Sequence, residues 1–277
     1  GSNESQLGPM RPNWTQWNPN MEANGVLAKG SHLFSFRRPR LSSTDKGDDG
    51  EDFAKQLEAF DKIAAARACG LDDIVVVGGY MQDKLRPYDV RIASNPRYRE
   101  TNMVYTLDCG LKDIEQEIVV AYGDIVYEPR VLLTLLQSKA SIAVAVDSGW
   151  RGYWEARMTD PLSDAESLKL ARDGRIVSIG QKPEKIEDIE AQYIGLMKFT
   201  PKGVANVTEA IHAIRHADRY RFETMYMTDL LQHMIDAGTV VRPAVSARGW
   251  FEIDTVDDLK LAQENSYRQG DRLVMEM

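Results

Sequence analysis

Cysteine is scarce: Cys69 and Cys109 are the two in 277 residues. Neither has a partner at metal-ligand spacing, so both read as free thiols, buried or half-buried, suited to a reducing cytosol. Long apolar runs are missing as well. No stretch approaches the ~18 to 20 residues needed to span a bilayer, and none has the apolar core of a signal peptide. The expectation is therefore a cytoplasmic protein with no membrane partner. Positive charge is in deficit, with 34 Lys and Arg against 42 Asp and Glu, a net charge of −8. That excludes broad electrostatic attachment to nucleic acid, and a nucleotide-handling site would need a local cluster of Lys or Arg. Internal repeats and low-complexity tracts are absent too.

What is present is an ordinary globular composition, 43% hydrophobic and 27% charged, long enough for one large α/β domain or a domain with an appendage. Gly1-Ser2 reads as a cleavage scar. Residues 3–23 are polar and aperiodic and read as an extended arm, 24–266 as the folded domain, and 267–277 as a C-terminal tail. A second weakly patterned stretch, rich in Ser, Asp and Gly, covers 42–52.

Beyond it the pattern is regular. Phe53 to Cys69 carries apolar residues at helical spacing and closes at Gly70, and Ile74 to Val77 is a short β-branched strand. Helical patterns follow at Thr101–Gly110, Pro129–Ser138, Pro201–Ala217, Met227–Ala237 and Thr255–Ser266, with strands at Glu117–Tyr122, Ser141–Val146 and Gly195–Phe199. Alternating strands and helices predict a doubly wound α/β fold, a mixed, mainly parallel sheet flanked by helices, with its ligand at the carboxyl ends of the strands.

Two of those ends carry acidic residues. Tyr122-Gly123-Asp124 closes one apolar strand, and Trp250-Phe251-Glu252-Ile253-Asp254-Thr255 closes another. Either Asp could merely cap a following helix. Together they suit a magnesium ion that bridges substrate phosphates. Asp147, Trp150, Tyr153 and Trp154 follow another apolar strand in what reads as a loop, with Arg151 among them and Arg157 just after. A carboxylate with aromatic faces can hold an ammonium head group; the alternative is that the tryptophans bury against the sheet. His212, His216 and His233 lie on helical patterns and read as ordinary surface or half-buried residues.

Several segments, in order, carry a resemblance. Gln56-Leu57-Glu58-Ala59-Phe60 through Ile74-Val75-Val76-Val77-Gly78-Gly79-Tyr80 is the first. Asn95-Pro96 with Thr101-Asn102-Met103 and Tyr122-Gly123-Asp124 come next. Val146-Asp147-Ser148-Gly149-Trp150, Ile179-Gly180-Gln181-Lys182, Tyr193-Ile194-Gly195, Thr228-Asp229-Leu230-Leu231 and Trp250 to Thr255 complete the set. From Asp52 to about Ala262 the chain resembles the GT-A-like nucleotidyltransferases of the sugar-nucleotide pyrophosphorylase type. Among these it is most similar to the cytidylyltransferases that activate phosphocholine or aminoalkylphosphonates.

The resemblance implies a Rossmann-like nucleotidyltransferase fold, and an enzyme that takes CTP, or another NTP, and a small phospho- or phosphono-acceptor, with Mg2+ as cofactor. Asp124 and Asp254 would hold the metal, and pyrophosphate would leave without a covalent enzyme intermediate. Leu27, Ala28, Gly30 and Ser31 would line the nucleotide, with Gly78, Gly79, Asn95 and Thr101 beside it. Arg40 and Lys182 would face phosphate, although Lys182 also reads as a solvated surface residue. Asn102, Asp147, Trp150, Tyr153, Trp154 and Tyr193 would face the acceptor. The family's Gly-rich loop is altered here: Gly25 to Leu33 is shortened, His32 stands where the family has Arg, and Arg40 where it has Lys. Two alternatives stay open, a sugar 1-phosphate acceptor with another NTP, and a silent nucleotide-binding homologue that has lost the phosphate loop. A homodimer is also left open.

Overall fold

The computed structural model describes residues 32–36, 62–79, 82–112, 114–269 and 272–275. Its frame is a seven-stranded sheet of β1 (His32–Phe36), β2 (Asp73–Gly78), β3 (Arg91–Ser94), β4 (Ile118–Tyr122), β6 (Ile142–Asp147), β9 (Gln192–Phe199) and β10 (Val241–Ser246), in the order β10-β6-β9-β4-β1-β2-β3. All neighbours run parallel except β9, which is antiparallel to both β4 and β6; β7 (Leu168–Leu170) and β8 (Ile176–Ile179) form a separate antiparallel pair. Helices cover the sheet, so its central strands read as unbroken apolar runs. Every residue of β4 and of β6 is buried.

The helices are α1 (Lys62–Ala68), α2 (Met103–Gly110), α3 (Pro129–Gln137), α4 (Trp150–Arg157), α5 (Pro201–Ala217), α6 (Arg219–Thr224), α7 (Met227–Asp236) and α8 (Val256–Glu264). Their ends follow local chemistry. Thr200 caps α5 through Gly203 N and Pro201 occupies its first turn, where a missing N–H costs nothing. Thr255 and Asp258 form a reciprocal capping box on α8.

Three elements differ from the sequence reading. The stretch after β6 is the helix α4 and not a loop. The expected tail at 267–277 carries an antiparallel hairpin of β12 (Ser266–Gln269) and β13 (Arg272–Met275), pinned where Met275 N donates to Glu128 Oε1 at 2.8 Å. His32 begins a central strand, in register with Asp73 and Ile118, and so does not belong to a phosphate loop. His32-Leu33-Phe34-Ser35-Phe36 is rich in residues that fit a pleated sheet, and two parallel partners flank it.

Candidate active site

The parallel strands all end on one edge, and there the chain builds a small ribbon. After β4, Gly123-Asp124 turns into β5 (Ile125–Tyr127), which pairs antiparallel with β11 (Trp250–Glu252). The register sets Ile125 opposite Glu252, and Ile253 N donates to Asp124 O at 2.8 Å. This pairing brings Asp124 and Asp254, distant in the chain, into one cluster. Glu252 joins them: ligand oxygens of Asp124, Glu252 and Asp254 all lie within 4.8 Å of one another. Three carboxylates offer the hard oxygen ligands that a divalent cation such as Mg2+ prefers. Glu252 was not singled out in the sequence, yet a signal existed. Residues i and i+2 of an extended chain share a face, so Glu252 and Asp254 point the same way. Lys62 Nζ donates to Gly123 O at the neighbouring turn.

Behind the cluster stands α4. The Arg157 side chain is 0% exposed and pairs with Glu252 Oε2 at 3.0 Å, Asp254 Oδ2 at 3.6 Å and Asp258 Oδ1 at 2.8 Å. Burial works against its charge, but Tyr153 and the carboxylates of Asp258 and Glu252 outweigh that and hold its pKa above the usual value. For Asp258, burial pushes the pKa up, while hydrogen bonds from Arg157 and Thr255 bring it below the ordinary value. Tyr153 reaches the same strand through its hydroxyl, which donates to Glu252 O at 3.0 Å and accepts from Glu252 N at 2.9 Å.

That placement corrects the acceptor reading for three residues. Asp147 is 0% exposed; it accepts from Arg248 Nη1 and from Trp250 Nε1, each at 2.8 Å, and so faces inward. Trp150 and Tyr153 are buried among Trp154, Trp250 and Phe251 in edge-to-face contacts with centroids about 5 to 6 Å apart. A buried carboxylate takes a buried partner, and Arg248 supplies it. Trp154 and Tyr193 differ, because both line a cleft of about 90 Å³ that also meets Glu252. The indole Nε1 of Trp154, itself buried, has no hydrogen-bond partner among the described residues. Asp164, Glu166 and Tyr226 also line this cleft, and no Lys or Arg does among the described residues. Asp164 and Glu166 were not anticipated either.

On the nucleotide side, Leu27, Ala28, Gly30, Ser31 and Arg40 lie outside the described residues. Gly78 ends β2 on the functional edge and Gly79 follows it. A Cβ on Gly79 would meet the Tyr98 side chain at 2.6 Å, and one on Gly78 would meet Gln82 at 2.7 Å. Asn95 is 1% exposed; it donates to Thr101 Oγ1 and Thr106 Oγ1 and accepts from Arg97 N, so it braces the loop from within and offers no amide to a ligand. Thr101 donates to Arg97 O, and Asn102 caps α2 while its amide donates to Thr224 O. The same loop is tied to α6 by Arg97, which grips Glu223 through two bonds of 2.6 and 3.0 Å. Lys182 is exposed, donates to Ser163 O at 3.3 Å, and is not among the residues lining the cleft.

Comparison with known proteins agrees with this architecture. A family profile described as "MobA-like NTP transferase domain" matches residues 62–186. The chain is 36% identical over 217 residues to "CTP:phosphoglutamine cytidylyltransferase" of Campylobacter jejuni, covering 73% of this chain and 85% of that one. It is 26% identical over 210 residues to "Bifunctional IPC transferase and DIPP synthase" of Rubrobacter xylanophilus, covering 73% of this chain and 43% of that longer protein. Among solved structures, the inositol-1-phosphate CTP transferase from T. maritima aligns with TM-score 0.58 at 17% identity, over 82% of this chain and 90% of that one. A putative glucose-1-phosphate thymidylyltransferase from Bacillus anthracis aligns with TM-score 0.61 at 15% identity, over 87% and 98%. These two share the fold. With the sheet order, the strand-end carboxylates and a relative matched over most of both chains, the protein belongs to the MobA-like NTP transferase family of nucleotidyltransferases, close to its cytidylyltransferases.

Proposed function

We propose that this chain transfers CMP from CTP to a small phosphorylated or phosphonylated acceptor and releases pyrophosphate, with Mg2+ held by Asp124, Glu252 and Asp254. The convergence of those three carboxylates beside an acceptor-sized cleft carries the reading. A nucleoside triphosphate brings several negative charges to an edge that is already acidic, so it binds only with counter-charge. A Mg2+ ion held by Asp124, Glu252 and Asp254 would supply that counter-charge. The acceptor's phosphate or phosphonate oxygen attacks the α-phosphorus in line. The bond from the α-phosphorus to the oxygen bridging it to the β-phosphorus breaks, and pyrophosphate departs with that electron pair. The protein's contribution is positioning and electrostatics.

The cleft supports a phosphocholine- or aminoalkylphosphonate-like acceptor. Its volume of about 90 Å³ is well below the ~300 Å³ at which drug-sized pockets begin, so it takes a head group of a few heavy atoms. Asp164 and Glu166 with Tyr193 and Tyr226 present carboxylates and aromatic faces, which favour a cation. The cytoplasm is the compartment this reading implies, consistent with Cys69 and Cys109 being free; the Cys69 thiol is pushed up to about 12 by burial and stays unreactive. Among the described residues no helix is long and apolar enough to cross a membrane.

The test is pyrophosphate release with each of the four NTPs, Mg2+ and phosphocholine, 2-aminoethylphosphonate, phosphoglutamine or glucose 1-phosphate. The reading expects release with CTP and one of the first three. Release only with glucose 1-phosphate would replace the acceptor class, and no release from folded protein would point to a silent homologue.

A further inference from the structure

The carboxylate cluster raises a physical problem of its own. Asp124 is 7% exposed, and the Glu252 and Asp254 side chains only 14% and 12%. Ligand oxygens of all three lie within 4.8 Å of one another, so a cation placed among them depends on how each carboxylate is oriented. Metal-ligating carboxylates are themselves oriented by hydrogen-bonding groups behind them. Among the described residues, Arg157 on α4 brings its guanidinium to two of the three, Glu252 and Asp254.

We propose that α4 is the positioning element of this site, with Arg157 the positioning residue that fixes the Glu252 and Asp254 carboxylates for a divalent cation. This inference rests on the cation-binding reading above. The fork geometry matters as well as the charge. Arg157 Nη1 meets Glu252, Nη2 meets Asp254, and Nε with Nη2 takes both oxygens of Asp258 at 2.8 and 3.4 Å. Asp258 in turn accepts from Asp254 N and Thr255 N, so the backbone carrying Asp254 is held to the same hub. A planar guanidinium distributes rigid donors among three carboxylates, which a lysine ammonium on a flexible stem cannot do.

Two further contacts restrict the Arg157 head group. Its guanidinium carbon lies 5.3 Å from the Tyr153 ring centroid and 5.5 Å from that of Trp154. Tyr153 uses its hydroxyl on both backbone groups of Glu252. Side chain and main chain of Glu252 are thus both fixed from α4, one turn apart on that helix. Groups that orient metal ligands in this way are typically worth about 10 to 100-fold in metal affinity or activity.

The experiment measures Mn2+ and Mg2+ affinity calorimetrically, without nucleotide, for the wild type, Asp124→Asn, Arg157→Lys and Tyr153→Phe, and thermal melting for each. The proposal expects Arg157→Lys to bind the cation about 10 to 100-fold more weakly, and the Mg2+ concentration for half-maximal activity to rise in parallel. Tyr153→Phe, which deletes one hydroxyl, shifts the same way by less, and decides the matter if Arg157→Lys does not fold. A purely structural role would lower the melting temperature and leave cation affinity alone; folded variants with wild-type affinity overturn the proposal while the cation site stands. Wild type that binds no cation, or Asp124→Asn with unchanged affinity, overturns the cation reading and this inference with it.

Discussion

Asp124 and Asp147 invite comparison, since each stands at the carboxyl end of a parallel strand of one sheet, β4 and β6. Both are almost fully buried, and from sequence both read as ligand contacts. Their surroundings separate them. Asp147 meets Arg248 and Trp250 Nε1 and becomes part of the interior. Asp124 meets Glu252 and Asp254, two groups of its own sign. Asp147 is thus engaged by a cation and an indole of the protein itself, whereas Asp124 lies with two further carboxylates in a group that could hold a metal ion.

Substitution can break or sharpen that contrast. The largest effect is expected at Asp124→Asn, which removes a ligand carboxylate. Cation chemistry of this kind is worth several kcal/mol at the transition state, so pyrophosphate release should fall about a thousandfold at ~1.4 kcal/mol per decade. The melting temperature should move less than in Asp147→Ala, because Asn keeps the side-chain volume. Asp147→Ala should invert the pattern. Stranding the Arg248 guanidinium beside the sheet costs about 3 to 5 kcal/mol, read as a lower denaturant midpoint, with activity lost only in proportion to the unfolded fraction. If both variants melt alike and lose activity alike, the distinction between the two aspartates collapses.

A smaller effect probes the ground next to Asp124. Gly195 has φ +77°, and a Cβ there would come 2.5 Å from the Tyr122 ring, which ends β4. Gly195→Ala should cost about 2 kcal/mol or more from the left-handed backbone and the ring contact together, and should disturb the Gly123-Asp124 turn; the measurement is a urea melt with activity at saturating Mg2+. The smallest effect concerns the brace between the 95–102 loop and α6. Hydrogen bonds from Arg97 and Arg219 lower the Glu223 pKa from its ordinary 4.5 to about 2. A depressed carboxylate contributes stability that is full above its unfolded pKa and is lost as pH falls toward the folded one. Wild type should therefore lose this contribution between about pH 4.5 and 2, and Glu223→Gln should flatten that part of its acid titration.

Much of the fold was legible because period and apolar content coincide with burial. Pro201–Ala217 is legible from its helical spacing, and the strand ending at Tyr122 from its unbroken apolar run, which burial on both faces requires. The helix α4 escaped because Trp150-Arg151-Gly152-Tyr153-Trp154 shows neither a clear apolar stripe nor a helix-favouring composition, and tertiary packing of its rings against Trp250 and Phe251 decides it. The site divides along similar lines. Asp124 and Asp254 announce themselves at strand ends, and Glu252 could have been found by its two-residue spacing from Asp254. Arg157 could not, because its partners lie 95 to 101 positions away in the chain and nothing local marks them. Asp147 misled for the same reason: its partner Arg248 is 101 positions distant.

The central claim is that the three-carboxylate edge performs cytidylyl transfer. The most direct measurement is pyrophosphate release from CTP with Mg2+ and the best acceptor, in wild type and Asp254→Ala at matched folded concentrations. The account predicts steady release in wild type, abolished in the variant and absent without divalent cation. Undiminished release in Asp254→Ala, or release that ignores the cation, would contradict it.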